Sequence, residues 1–449
     1  MSMAQGVSHP NQFALLRQRR YGPFFTTVFL GSANDNLLKF AVTLLLTYDV
    51  SVSWLPPSLA GPVTGALFIL PSVLLSALSG QIADRWPLDR LLRAGKNCEI
   101  VMMALAAWAV WQLDVWALLG CLLLSGTHVT VFSTLKYAYV PRHLAPPELL
   151  GGNGLLEMGL FTAILLGTLA GGWLADPALS PRWALPATLL ALALLGRWRA
   201  QAIPATTAQD PGLRLDLNPW RASWRSLVEL PRHGQVTTAV LGISWMWFFG
   251  ATFLALFPAL ARETLRADAS VATGLLLITS VGIGGGALMC ERLARHRLAP
   301  WLVPMGALGM AVFGGDLAWC LGSLASLNEA GGAMPARWHL AAFIAEPRHW
   351  RPMVDVALMA MSIGWFSVPL YSEMQARAEP SHRARVAAAN NLCNALFILA
   401  SAALAGGLSV LGMSLPQVLG ATVGLHAMLG LAVLACQPRW RQGCRGPAG

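Results

Sequence analysis

The side chains best placed to do chemistry in this chain are the charged and amide groups that interrupt its apolar runs. Asn34, Asp35 and Asn36 stand with Lys39 midway along the first run, 22 to 46. An ionisable group in hydrocarbon is costly unless it is paired or faces water, so such groups mark sites of binding or transfer. Asp35 and Lys39 are four residues apart on one helical face, acid first, which is the favourable order. They either neutralise each other or present a carboxylate to a cation or head group, and the asparagines that make the whole turn polar favour the second. Lys136 lies in Ser133-Thr134-Leu135-Lys136-Tyr137-Ala138-Tyr139-Val140-Pro141, a little over one helical turn inside the expected end of the fourth run. Glu157, in the fifth run, is at a similar depth. Lys136 is thus a phosphate contact or half of an ion pair with Glu157, unless it snorkels to the interface. In the second half Asp316 and Asp355 fall within or near apolar runs, with Asp355 expected in water near the outer interface. Asn390, Asn391 and Asn394 cluster further on, Asn390 and Asn394 on one face. Hydrogen bonding between helices is their expected role.

These groups need apolar helices to hold them, and the composition provides for that. Of 449 residues 55% are hydrophobic and only 12% charged, about half the charge of an ordinary soluble domain. A crossing takes roughly 20 apolar residues. Apolar windows bounded by Gly, Pro and charge give spans near 22–46, 61–83, 96–113, 117–140, 152–175 and 183–199, then 237–260, 271–290, 299–324, 351–374, 386–412 and 416–436. The reading is an all-α integral membrane protein with 12 transmembrane helices in two six-helix bundles. Residues 1–199 form the first bundle, 200–235 a cytoplasmic linker, 236–436 the second bundle and 437–449 a cytoplasmic tail. The basic stretch at Arg17, Arg19 and Arg20 precedes a long run holding Asp35 and Lys39, so that run is read as a retained first helix rather than a signal peptide.

Charge distribution supports this topology. With both termini in the cytoplasm, most of the 31 Lys and Arg residues fall on the inner side, as the positive-inside rule requires. The outer exceptions are Arg182, Arg262, Arg266, Arg337, Arg348 and Arg351. The net charge of +10 is scattered through short loops and forms no nucleic-acid patch. The seven cysteines show no metal or redox spacing and read as packing residues. His339 and His349, beside Trp338 and Trp350 in an outer insertion near 327–350, read as part of an interfacial aromatic anchor rather than a metal site. No cofactor is expected.

Gly80-Gln81-Ile82-Ala83-Asp84-Arg85, followed by Asp89, Arg90 and Arg93, comes after the second span and resembles the signature loop of the major facilitator superfamily. The resemblance implies that Gly80 permits close helix approach while Asp84, Arg85 and Arg90 make conformation-dependent ion pairs. Glu291-Arg292-Leu293-Ala294-Arg295 is a poorer copy after the eighth span. Gly152-Asn153-Gly154 and Ala389-Asn390-Asn391 open the fifth and eleventh spans, a weak repeat in register. Parallel six-helix repeats with substrate bound between them are the plan of these transporters.

Phe29-Leu30-Gly31-Ser32-Ala33-Asn34-Asp35-Asn36-Leu37, the Lys136-Tyr137 segment and Glu148-Leu149-Leu150-Gly151-Gly152-Asn153-Gly154-Leu155-Leu156-Glu157 together resemble the lysophospholipid transporter (LplT) family within that superfamily. Val368-Pro369-Leu370-Tyr371 with Gln375, and Arg385-Val386-Ala387-Ala388-Ala389-Asn390-Asn391, extend the resemblance over nearly the whole chain. It implies movement of lysophospholipids such as lysophosphatidylethanolamine from the outer to the inner leaflet of the bacterial inner membrane for reacylation. The implied partners are the lysophospholipid, membrane lipids and a cytoplasmic acyltransferase or acyl-carrier-protein synthetase. Asp35 and Lys136 match positions implicated in holding the zwitterionic head group. The chain departs from some members in lacking an arginine between Trp245 and Pro258. No His-x4-Asp acyltransferase motif is present. A proton-coupled exporter of small amphiphiles or drugs, protonated at Asp35, is the alternative. An enzyme acting on lysolipids would need a nucleophile or an acid-base pair, and no such motif occurs.

Overall fold

The computed structural model describes residues 12–49, 57–176, 178–230, 234–294, 299–330 and 338–436. The expected tail 437–449, with Cys444, and Arg337 of the outer insertion lie outside them. Among the described residues, twelve helices of 17 to 29 residues follow the expected order. The first six are α1 (Gly22–Leu44), α2 (Pro57–Arg85), α3 (Leu88–Gln112), α4 (Val115–His143), α5 (Leu149–Ala175) and α6 (Ala184–Ala200). A shorter helix, α7 (Pro219–Glu229), precedes α8 (Gln235–Ala259), α9 (Ala269–Ala294) and α10 (Leu302–Ala330). After the six-residue α11 (Leu340–Ala345) come α12 (Trp350–Arg377), α13 (Arg383–Val410) and α14 (Leu415–Cys436). Among the described residues, eight stretches are long and apolar enough to cross a membrane. Most of the long helices are apolar all round, because one side meets other helices and the other meets lipid.

Local chemistry sets several boundaries. Pro23 opens α1, where the missing N–H costs nothing. The Asp114 carboxylate caps α4, accepting from the Ala117 amide at 3.1 Å. Leu113 ends α3 in the left-handed conformation, φ 54°. Helix α4 runs through Pro141 to His143. Lys136 is therefore about 10 Å from that helix end at 1.5 Å per residue, deeper than the sequence suggested.

The described residues group into two compact units. The first takes the described residues of Met1–His233, Glu291–Leu298 and Gln375–Leu392, and the second those of Gly234–Cys290, Ala299–Met374 and Cys393–Gly449. The ends of α9 and α12 and the start of α13 thus belong to the first unit. In the first unit α1 packs along α5, α2 along α4, and α3 along α6. Leu37, Leu38, Met103, Ala106, Leu118 and Leu189 are among its core residues. In the second unit α10 packs along α14, which also meets α8.

Residues 200–230 of the expected linker are held against α2 and α3. Arg93 donates to the Ile203 carbonyl at 2.7 Å, and the Thr206 amide and hydroxyl donate to Asp89 Oδ1 at 2.9 and 2.8 Å. The Gln209 and Asp210 amides both donate to the Asp84 carbonyl. Helix α7 follows, capped by Asn218, with Ala222 and Ser223 buried against α2 and Trp220 and Trp224 exposed.

Candidate functional site

The polar turn of α1 is enclosed, with Asn34, Asp35 and Asn36 all buried. It is one wall of a buried cluster built by α1, α3, α4 and α6. The Lys96 ammonium lies 2.5 Å from Glu99 Oε2, and both side chains are fully enclosed. Asn34 donates from Nδ2 to Glu99 Oε1 at 3.2 Å and to the Leu189 carbonyl at 3.1 Å. Asp35 accepts from the Ser125 hydroxyl at 2.8 Å. His128 stands between the two carboxylates, Nε2 3.6 Å from Glu99 Oε2 and Nδ1 3.9 Å from Asp35 Oδ2. A Cβ at position 31 would come within 2.5 Å of the Lys96 ammonium, which is why glycine stands there. Asn36 turns back on its own helix, donating to the Ser32 carbonyl. Lys39 places its ammonium 5.0 Å from the centre of the Phe68 ring. Among the described residues no ion pair within 4 Å joins Asp35 to Lys39, and the partners that the carboxylate meets, Ser125 and His128, come from α4.

Sequence reasoning misses Lys96, Glu99, Ser125 and His128. Their signal is an acid and a base three residues apart at the start of one apolar run, and a lone histidine inside another. Lys96 begins its run, where a charge reads as a boundary.

Lys136 and Glu157 come together through Tyr137. The Tyr137 hydroxyl donates to Glu157 Oε1 at 2.9 Å, and the Lys136 ammonium sits 4.4 Å from the centre of the same ring. Among the described residues Lys136 makes no hydrogen bond or close ion pair of its own, although it is 6% exposed and Glu157 1%. Nearby amides join the elements of the first unit. Asn391 accepts from Ser133 at 3.0 Å and donates to Thr134 at 3.1 Å, and Asn153 and Gln375 exchange two hydrogen bonds of 2.8 and 3.0 Å. Asn390 is fully buried, with neither amide atom bonded among the described residues.

The loop after α2 is a second polar centre in this unit. The Asp84 carboxylate lies 3.4 Å from Arg142 and 3.3 Å from Arg385. A Cβ at Gly80 would approach that of Ala388 to 2.7 Å. Arg85 stacks on Trp86, Asp89 pairs with Arg93 at 3.1 Å, and Arg90 is exposed.

In the second unit the Ser244 hydroxyl donates to Asn394 at 2.8 Å, and Trp245 Nε1 donates to His426 Nδ1 at 2.7 Å. Asn390 and Asn394 thus serve different surroundings despite sharing a helical face. Asp355 is 5% exposed, which corrects its expected place in water: it lies beside Asp316, which is paired with Arg351. His349 is buried against Phe343 and Trp338. No group of three or more His, Cys, Asp or Glu is placed to hold a metal among the described residues.

A helical membrane protein with buried charge inside its bundles and a glycine-aspartate loop after the second helix has the architecture of a secondary transporter. The family model of the Major Facilitator Superfamily matches residues 24–402, and the chain belongs to that family. It is similar to the lysophospholipid transporter LplT of Salmonella heidelberg (strain SL476), 29% identical over 62% of this chain and 67% of the relative. That is a shorter reach than the sequence motifs suggested. Its fold is similar to the human organic anion transporter MFSD10, with a TM-score of 0.66 at 17% identity over 94% of this chain and 99% of that one. The E. coli fucose:proton symporter FucP gives 0.67 at 12% identity, over 94% and 98%. The chain is a multi-pass membrane transporter.

Proposed function

We propose that this transporter moves lysophospholipids, such as lysophosphatidylethanolamine, from the outer to the inner leaflet of a bacterial inner membrane, where they are reacylated. The similarity to LplT carries this reading. The chemistry at Lys136 supports it. A buried ammonium that, among the described residues, meets a tyrosine ring and the field of one carboxylate retains donor capacity for a phosphodiester. In this reading Lys136 and Glu157 serve the phosphate side and Asp35, with Asn34, Asn36 and Lys39, the ammonium side. Asp84 with Arg142 and Arg385 is the conformational lock that Gly80, Arg85 and Arg90 surround, and Asn390, Asn391 and Asn394 keep α13 in register. Both termini lie in the cytoplasm, and a cytoplasmic acyltransferase consumes the product.

The test is uptake of labelled lysophosphatidylethanolamine into vesicles of defined sidedness holding the purified protein. Saturable uptake that falls at least tenfold in folded Lys136→Ala and Asp35→Asn is the expected result. No uptake by well-folded wild type under any ion gradient would overturn the cargo and leave export of small amphiphiles to be screened.

A further inference from the structure

His128 is enclosed without being satisfied. Its side chain is 8% exposed, and neither ring nitrogen has a hydrogen bond of full geometry among the described residues. An enclosed polar group without a partner costs stability, so a fold that keeps one sets that stability against some other use of the ring. The ring faces a carboxylate on each side. Those two carboxylates are not equivalent. Glu99 has its charge met by Lys96 at 2.5 Å and its other oxygen met by Asn34. Asp35 has one oxygen met by the neutral Ser125 hydroxyl, while its Oδ2, the atom facing His128, accepts no hydrogen bond among the described residues. Lys39, the cation nearest along the helix, is turned onto Phe68.

We propose that Asp35 and His128 share one exchangeable proton, and that with Glu99 and Lys96 they form a proton-binding site enclosed by α1, α3 and α4, separate from the cargo contact at Lys136. The proton comes from water and returns to it. When bound it lies between Asp35 Oδ2 and His128 Nδ1, as carboxylic acid with imidazole or as carboxylate with imidazolium, and no other bond changes. Closing the 3.9 Å gap to hydrogen-bond length takes a small side-chain rotation. When the proton leaves, Asp35 is an enclosed carboxylate with no cation in contact among the described residues.

The charged groups facing the pair are Glu99 and Lys96 from α3, and Lys39 from α1, and the Gly95 carbonyl of α3 also lies toward the imidazole. They favour a proton over a metal ion. A metal needs several ligands at about 2.0 to 2.6 Å, and the Lys96 ammonium already occupies Glu99. Because the partners are on α1 and α4, loss of the proton weakens the link between those helices, and occupancy is thereby tied to their relative position. The proton site holds whatever the cargo is. Competition between the proton and an ammonium head group at Asp35 rests on the proposed cargo.

The experiment uses the full chain in lipid nanodiscs with nitrogen-15-labelled histidine, titrated between about pH 5 and 9 without cargo. Imidazole signals report His128, identified by its loss in His128→Gln, and the infrared carboxylic-acid band lost in Asp35→Asn reports Asp35. One protonation step is expected in the pair, with each substitution moving the partner's midpoint by about one unit or more, the signature of interacting sites. Constant signals from both groups across the range overturn the proposal, as do midpoints indifferent to the partner's substitution. Should His128→Gln fail to fold, the histidine titration in Asp35→Asn against wild type answers the same question. Uptake of lysophosphatidylethanolamine is not read in this experiment, so failure of the cargo assignment and failure of the proton site remain separate.

Discussion

At the scale of single residues, the deciding quantity is the cost of charge out of water. Lys96 and Glu99 are both fully enclosed, and removing one member of a buried pair costs about 3 to 5 kcal/mol because the other is left uncompensated. Lys96→Met is expected to destabilise by that amount. The double variant Lys96→Met/Glu99→Leu should recover part of it, since an apolar pair removes both charges together. Thermal unfolding in detergent of the two variants checks the order, and equal losses would show that the pair is not the source. Gly31→Ala should reproduce a milder form of the defect, about 1 to 3 kcal/mol for a crowded interior, because its methyl would displace the same ammonium.

At the scale of elements, two connections carry predictions. The first is the loop after α2, where Gly80 lets α2 lie against α13 and Asp84 faces two arginines. Gly80→Val should lower transport at least tenfold while the protein is still made and inserted, measured as uptake per folded molecule. Asp84→Asn should do likewise, because it leaves Arg142 and Arg385 facing each other without a carboxylate. The second is the connection before α9, where Asp268 accepts from the Ser270 hydroxyl at 2.5 Å and meets His339. These donors, Ser270 first, hold its carboxyl below the usual range. A depressed acid contributes stability above its unfolded value, about 3.9, and loses it as pH falls through the folded value. The backbone bridge formed by the Asp268 amide to the Trp338 carbonyl and the Trp338 amide to the Arg266 carbonyl should therefore lose hydrogen-exchange protection in acid. Asp268→Asn should remove that acid sensitivity.

At the scale of the whole molecule, the fastened linker changes what the central segment is. In the sequence 200–235 is polar and proline-bearing, and those features read as a tether. In the structure residues 200–230 are fastened to the end of α2 and the start of α3 by backbone amides and Thr206, then pack α7 on α2. A break of the chain in this segment should therefore leave the first unit holding the strap. Limited proteolysis is expected to cut between Ile203 and Asn218 slowly in the wild type and faster once Thr206 and Asp89 are substituted. Rapid cleavage there in the wild type would show the fastening to be too weak to matter.

The helix order, the polar turn of α1, Lys136 and the glycine-aspartate loop were legible in the sequence, because crossing hydrocarbon imposes an apolar length that a linear pattern records directly. The sequence also showed that Asp35 had to be met by something. What met it was decided by tertiary structure alone. Ser125, His128, Glu99 and Lys96 are scattered through two other helices, and whether a charge inside an apolar run faces lipid, a neighbour or another charge depends on the rotation of each helix about its axis. Mean apolarity all round leaves that rotation unspecified in the pattern. Close packing around Gly31 and Gly80 fixes it in the fold.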